Sequence, residues 1–331
     1  MSAQSPLTEP FRIGDVEIAN RVLLAPLAGI GNWFVRLQAR RHGAGLAVSE
    51  MVSSHAIHYG NERTLNELLR IHPDEHPTAI QLFGADPGVM RGAAAVVAET
   101  GADLIDLNMG CPVKKVRKTG AGAELISDPD LAVAVAAAAV EGGGKPVTVK
   151  LRSGLRPGDR SGVAVAVRLV EEAGVAAIAF HPRSAAVQHK GTPDYGLVRE
   201  LTDRIDVPVI VSGGLDTAER ARAAYRESGA DAVMIARGSF GYPWIFAELT
   251  GSRTAGPDRD EIAAELIWVI DAAEEHLGTE RAGRYLRKFY PWYLARIGLS
   301  SREAAGFQQL DDLDAVRERV RGLRTASPAA A

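Results

Sequence analysis

Eight short apolar runs, each closing in a polar or chemically distinctive residue, recur along this chain at helix-length intervals. That rhythm restricts the fold more than any other feature. In order they are VLLAP closing at Pro26, LAVSE closing at Glu50, AIQLF carrying Gln81, and LIDLNMGCP carrying Asn108 and Cys111. VTVKLR follows with Lys150 and Arg152, then AAIAFHPR with His181 and Arg183, PVIVSGG with Ser212 to Gly214, and AVMIARG with Arg237. Helical segments such as the Ala-rich 130–140 and 162–173 lie between them. Strand followed by helix, repeated without long strand pairs, implies a parallel sheet. No Gly-x-Gly-x-x-Gly follows the first run, as an open dinucleotide-binding sheet would want. The Gly-x-Gly at Gly120 and Gly122 follows a basic loop instead of a strand and is a weak signal. The expectation is an α/β chain forming a closed (β/α)8 TIM barrel. Its strand C-termini meet at one mouth, so polar groups scattered from Pro26 to Arg237 would gather in one pocket.

Two additions frame the barrel. FRIGDVEI (11–18) alternates around Gly14-Asp15 and reads as a small hairpin before the first barrel strand. At GSRTAGPDRD (251–260) periodicity gives way to Gly, Pro and alternating charge. Beyond it the pattern is helical: Ile262, Leu266, Val269, Ile270, Ala273 and Leu277 form one 3.6-period stripe, and Leu313, Val316, Val320 and Leu323 another. The expected organisation is a catalytic barrel over 1–250 and a smaller helical bundle over 251–331, with TASPAAA (325–331) a disordered tail.

With 331 residues, the chain can bury a full core and hold both parts. Its 46% hydrophobic and 24% charged residues are those of a soluble globular protein. A net charge of −3 leaves any anion binding to local patches. One cysteine excludes an intrachain disulfide and fits a reducing compartment. The start MSAQSPLTEPF has neither the basic stretch nor the apolar run of a signal peptide, and no apolar run reaches the roughly 20 residues of a membrane span. A cytoplasmic protein is expected, without a membrane or an obligatory protein partner.

Lys150 is the sharpest oddity. In VTVKLR, Val147, Val149 and Leu151 share one face while Thr148, Lys150 and Arg152 share the other. With the apolar face on the helices, the cations point into the mouth, where unpaired charge is costly. A salt bridge to Asp106 is the structural alternative; an anionic or electron-rich ligand is the functional one. Ser212, Gly213 and Gly214, with Ala236 and Arg237, close the last two runs, where this architecture usually binds phosphate. Cys111 lies beyond its strand between Gly110 and Pro112, a placement that favours reactivity over packing. A thiol is mostly protonated at neutral pH and can act as an acid. His181 ends its run at the same end as Lys150. No positions show metal-ligand spacing, so no metal is expected.

Two basic clusters stand out. KKVRK (114–118) follows Cys111, and residues 281–302 carry Arg281, Arg284, Arg287, Lys288, Arg296 and Arg302 with no acidic residue. Arg281, Arg284 and Lys288 share a face of one expected helix, with Tyr285, Phe289, Trp292 and Tyr293 interleaved. Solvated charge over core aromatics is the plain reading; a localised phosphate-binding track is the functional one.

Taken together, APLAG (25–29), AGLAVSEM (44–51), QLFG (81–84), DLNMGCP (106–112), KKVRKTGAGAEL (114–125), VKLRSG (149–154), FHPRS (180–184) and ARGSFGYPWIF (236–246) resemble the tRNA-dihydrouridine synthases. RYLRKFYPWYLARIG (284–298) is similar to that family's C-terminal helical domain. The resemblance implies an FMN-containing barrel that reduces the C5–C6 double bond of a D-loop uridine in tRNA, with NADPH as reductant. It assigns Cys111 as proton donor to C5 and Lys150 as the cation beside the anionic reduced flavin, with His181 nearby. Pro26, Leu27 and Ala28 would line the ring and Gln81 would bond it, while Ser212, Gly213, Gly214, Ala236 and Arg237 would hold the phosphate. Asn108 and Arg183 would bond a uracil drawn out of its stack. Lys114, Lys115, Arg284 and Lys288 would grip the tRNA backbone. The chain departs from the family where Ser212-Gly213-Gly214 replaces Asn-Gly-Asp, Ala236 replaces Gly, Gly31-Asn32 replaces Thr-Asp and Leu27 replaces Met. Three other readings compete: a dihydroorotate dehydrogenase-like FMN barrel, which would need neither basic cluster; a flavin-free Schiff-base lyase using Lys150; and a non-catalytic RNA-binding protein.

Overall fold

The computed structural model describes residues 4–310 and 312–324. The expected disordered tail lies outside the described residues. β1 (Phe11–Ile13) and β2 (Val16–Ile18) form the antiparallel hairpin anticipated around Gly14-Asp15. Eight strands then close a wholly parallel barrel: β3 (Val22–Leu24), β4 (Leu46–Ser53), β5 (Thr78–Phe83), β6 (Leu104–Met109), β7 (Val147–Arg152), β8 (Ala177–His181), β9 (Val209–Ser212) and β10 (Ala232–Ile235), with β10 pairing back onto β3. Each corresponds to one of the eight apolar runs.

Two apolar cores follow from strand alternation. Leu23, Leu46, Ala79, Leu104, Ala177, Ile210 and Ala232 pack with Phe11, Ile13 and Ile18, so the hairpin joins the barrel's interior cluster. Val147, Val149 and Leu151 belong to the larger cluster that includes the surrounding helices. Their alternates Thr148, Lys150 and Arg152 therefore face inward. The parallel register sets Gln81 beside Asp106, Asp106 beside Thr148, Asn108 beside Lys150 and Arg152 beside His181. This side-by-side order converts residues far apart in the chain into one polar layer.

Past the break, Asp258 caps the helix Arg259–Leu277 with a reciprocal bond from Glu261. The helices Thr279–Leu286, Tyr290–Arg296, Ser301–Gln308 and Leu313–Arg324 follow. The single helix expected through 281–293 is instead two, separated at Arg287–Phe289, with Pro291 in the first turn of the second. Phe289, Tyr290 and Tyr293 are buried, which is the plain reading of that aromatic series. Among the described residues no helix is long and apolar enough to cross a membrane.

The C-terminal helices meet the barrel at several places, among them Gln38, whose Nε2 donates to Glu265 Oε1 and Tyr293 Oη (2.8 Å each), and the loop after β3. Tyr285 Oη donates to Ile30 O (2.9 Å) and accepts from Asn32 Nδ2 (2.7 Å), while Lys288 Nζ donates to Gly29 O. From the other side, Gly29 N donates to Glu50 Oε2 (2.8 Å), and Arg36 Nη1 donates to Gly31 O (3.1 Å). Arg36 is itself buried in a forked pair with Glu75 (2.6 and 2.8 Å).

Candidate active site

The mouth opens onto a cavity of about 370 Å³, within the range of small-molecule and cofactor sites. Its walls bring together Pro26, Leu27, Ala28, Gln81, Asn108, Cys111, Lys150, His181, Arg183, Ser212, Gly213, Gly214, Ala236 and Arg237. Those residues derive from seven strands and their following loops. Lys114, Lys115, Arg284 and Lys288 lie outside it.

At the base of the site a hydrogen-bonded row crosses β7, β6 and β5. Thr148 Oγ1 donates to Asp106 Oδ1 (2.5 Å), Gln81 Nε2 to Asp106 Oδ2 (2.6 Å), and Asn108 Nδ2 to Gln81 Oε1 (2.8 Å). Asn108 Oδ1 then accepts from the amides of Gly110 (3.2 Å) and Cys111 (2.9 Å). The row thus ends by fixing the backbone that presents the thiol. Asn108, expected as a contact to the base, lines the cavity and also organises the Cys111 loop. Behind that loop, Gly122 adopts φ +64°, and a Cβ there would stand 2.9 Å from Cys111 O. The Gly-x-Gly, a weak signal in the sequence, therefore braces the Cys111 loop by close backbone approach.

Lys150 does not take Asp106 as a direct partner; its Nζ donates to Ser212 Oγ (3.1 Å) across the barrel. Burial holds the ammonium down to about 8, Arg152 adds to the effect, and the Asp106 carboxylate opposes it. Burial likewise raises Asp106 to about 6 against the pull of Thr148, Gln81 and Lys150. Desolvating an ammonium costs several kcal/mol, whereas a buried aliphatic side chain contributes about 1.5–3 kcal/mol. Stability alone would favour Leu or Met at position 150. The lysine is retained at a thermodynamic cost that an electron-rich ligand would offset.

Arg152 is buried; its Nε donates to Gly110 O (2.8 Å) and its Nη1 to Gln188 O (2.7 Å), tying the Cys111 loop to the loop after β8. Arg183 grips Gly191 O through Nη2 (2.7 Å) and Nε (3.1 Å), so this expected base contact also shapes that loop. His181 is held well below the usual imidazole range by burial, then by Arg152, Lys150 and Arg183. His189, stacked on it at 6.0 Å, is lowered to about 4 by burial and Arg237. Both rings are neutral at neutral pH. Gly213 (φ +94°) passes over His181, where a Cβ would meet the ring at 2.3 Å, so no larger residue fits.

Sequence reading missed His189, Gln188, Met51 and Tyr195. The first three line the cavity, and Tyr195 Oη donates to Gly213 O (2.9 Å). His189, Gln188 and Tyr195 lie beyond β8, where no periodicity marks them, and Met51 sits just past the end of the LAVSE run.

A closed parallel barrel thus carries a buried lysine, a mouth thiol and, after its last two strands, a Gly-Gly turn and Arg237 around one cavity. An old yellow enzyme homologue from Zymomonas mobilis shares the fold at TM-score 0.57 and 16% identity, with 78% of this chain and 96% of that chain covered. Morphinone reductase does so at TM-score 0.55 and 18% identity, with 78% and 93% covered. At these identities the likeness concerns fold alone. The family model described as dihydrouridine synthase matches residues 23–327. The chain is 37% identical over 317 residues to tRNA-dihydrouridine synthase B of Pseudomonas aeruginosa, covering 94% of each. It is 36% identical over 289 residues to the protein of that name from Xanthomonas campestris, covering 86% of each. The chain belongs to the dihydrouridine synthase family and is an oxidoreductase.

Proposed function

We propose that this protein is a tRNA-dihydrouridine synthase that reduces the C5–C6 bond of a D-loop uridine using FMN and NADPH. One observation carries the reading: Cys111 and Lys150 line the same cavity, the thiol on an organised loop at the mouth and the ammonium on the inner face of β7.

The cavity suits a phosphorylated, amide-rich ring. Pro26, Leu27 and Ala28 offer an apolar wall, Gln81 lies in the polar layer beneath, and Arg237 stands at the glycine loop. The Gly213 position, which a side chain would block against His181, permits close backbone approach. Pro26, Leu27, Ala28, Gln81, Lys150, His181, Ser212, Gly213, Gly214, Ala236 and Arg237 would hold FMN. Bound there, the flavin would supply hydride to C6 of the uracil. Lys150 provides positive charge for an electron-rich ring, and neutral His181 can hydrogen-bond without adding charge. Cys111 donates its proton to C5, and Arg152 and Asn108 keep the thiol's loop in place. The barrel (1–250) would perform catalysis, and the helical part (251–331), with Lys114 and Lys115, would hold tRNA by charge and shape.

The test is nucleoside mass spectrometry on an unmodified tRNA transcript incubated with the purified protein, FMN and NADPH. Dihydrouridine is the expected product. A yellow, NADPH-oxidising protein inactive on that transcript and on fully modified tRNA lacking dihydrouridine would instead act on a small molecule.

A further inference from the structure

We propose that the barrel mouth carries a nucleobase-stacking platform, centred on Tyr59, for a tRNA nucleotide beside the target uridine; the proposal rests on the tRNA reading above. Among the described residues, three large hydrophobic side chains are exposed: Tyr59, Leu65 and Val113, with Tyr59 the most exposed at 78%. All three follow the C-terminal ends of barrel strands, Tyr59 and Leu65 after β4 and Val113 after β6. Apolar exposure therefore collects on the face that holds the cavity, and such clustering marks interaction surfaces.

Tyr59 closes the helix Ser54–His58, which starts three residues after cavity-lining Met51. Its ring meets His58 at 5.0 Å and 72° and His55 at 6.4 Å and 39°. These contacts steady the tyrosine without covering it. Beside the helix runs a groove of about 550 Å³ whose lining includes Ser53, His55, Phe83, Gly84 and Thr119. Thr119 directly follows the KKVRK stretch, whose Lys114, Lys115 and Lys118 are exposed. Tyr59 thus reaches the groove through His55, which lines it, and the exposed lysines through Thr119; a ring for the base and charge for the phosphates are what an unpaired polynucleotide requires.

The occupant follows from the reaction. A target base that swings out of its stack leaves its neighbour with one face bare. An aromatic ring outside the catalytic cavity, after the C-terminal end of β4, would restore that stacking. Tyr59 also lies too far out of the core to serve packing, so its truncation leaves the fold untouched.

Steady-state kinetics on an unmodified tRNA transcript, with dihydrouridine counted by mass spectrometry, tests the platform. Tyr59→Ala is expected to raise KM for tRNA about ten-fold, within the range for removal of one base–aromatic stack. The effect should fall on KM more than kcat, because the stack binds substrate and transition state alike. Tyr59→Phe and Tyr59→Trp should keep the wild-type KM, since the ring is what matters. A wild-type KM in Tyr59→Ala, or a Tyr59→Phe as impaired as the alanine variant, would overturn the platform alone. A wild-type protein that forms no dihydrouridine on any tRNA would remove the function and the platform together.

Discussion

The cations of β7 and those of residues 281–302 are the same residue types in opposite circumstances. Lys150 and Arg152 stand on the inner face of a strand, and the nearby carboxylate, Asp106, already accepts bonds from Thr148 and Gln81. Arg281 and Arg284 stand on an exposed helix and are met by their own carboxylates, Glu67 at 2.7 Å and Glu280 at 3.0 Å. Lys288 turns back onto Gly29 O and lies 3.9 Å over the Tyr285 ring. Exposed pairs of this kind contribute about 0–1 kcal/mol and are screened by salt. Buried charge without a full partner costs much more and points to a ligand. A cation's meaning thus depends on whether the fold lets it find a partner.

Chemistry at the buried site should therefore respond most to substitution. Cys111→Ala is expected to lower uridine reduction about 10²–10⁴-fold, the range of a missing general acid. NADPH oxidation should continue, because in the proposed reaction the thiol acts only on the uracil. Rapid-mixing kinetics with mass spectrometry separates the two half-reactions, and a fully active alanine variant would remove the thiol as acid.

Lys150→Met comes next. Losing one charge-assisted hydrogen bond of about 1.5–3 kcal/mol should weaken FMN binding roughly 10–100-fold, readable by fluorescence titration. The flavin-free proteins should differ in the reverse direction. Burial places the folded-state pKa of Lys150 at about 8, below its ordinary 10.5. The penalty is then complete below pH 8 and is relieved as pH rises towards 10.5, because the unfolded chain keeps the proton longer. Flavin-free Lys150→Met should melt above flavin-free wild type at pH 7, with the gap narrowing above pH 8. A gap that widens with pH would show that Lys150 is not held at a cost.

The exposed cations give smaller, salt-sensitive effects. Replacing both Lys114 and Lys115 with Ala should weaken tRNA binding several-fold and flatten its salt dependence by about 0.7–0.9 for each phosphate no longer neutralised. Arg284→Ala, which also frees Glu280, should do less. An Arg284 effect exceeding that of the lysine pair would reverse the ranking of the two basic clusters.

The barrel was legible because eight apolar runs each demand burial at a regular spacing, and the alternation in VTVKLR placed Lys150 inward correctly. The cavity's composition was legible where a residue closes a strand. What stayed hidden was partnership. Nothing local says that Asn108 would turn its amide oxygen to the Cys111 loop, or that Arg183 would fasten Gly191, since those partners depend on loop closure. The basic helical stretch misled for the same reason. Its spacing fits one continuous helix, but burial of Phe289 and Tyr290 against the other helices accompanies a break at 287–289.

The mildest test joins the two regions. Tyr285 belongs to the helical part, yet its hydroxyl bridges Asn32 Nδ2 and Ile30 O in the loop whose Leu27, Ala28 and Ile30 line the cavity. Tyr285→Phe keeps the ring packed on Phe34 and Phe289 and removes only that bridge. Two bonds disappear but water can replace part of them, so a stability decrease of about 1 kcal/mol is expected. If the bridge positions the cavity wall, FMN affinity should also fall about two- to five-fold, with the salt dependence of tRNA binding unchanged. Unaltered FMN affinity would mean that the remaining holds on that loop, Glu50 and Arg36 from the barrel side and Lys288 from the helical side, suffice to set the wall. The Tyr285 hydroxyl would then have no part in shaping the proposed flavin site, leaving Lys288 and the Phe240–Trp292 stack as the contacts through which the helical part could still do so.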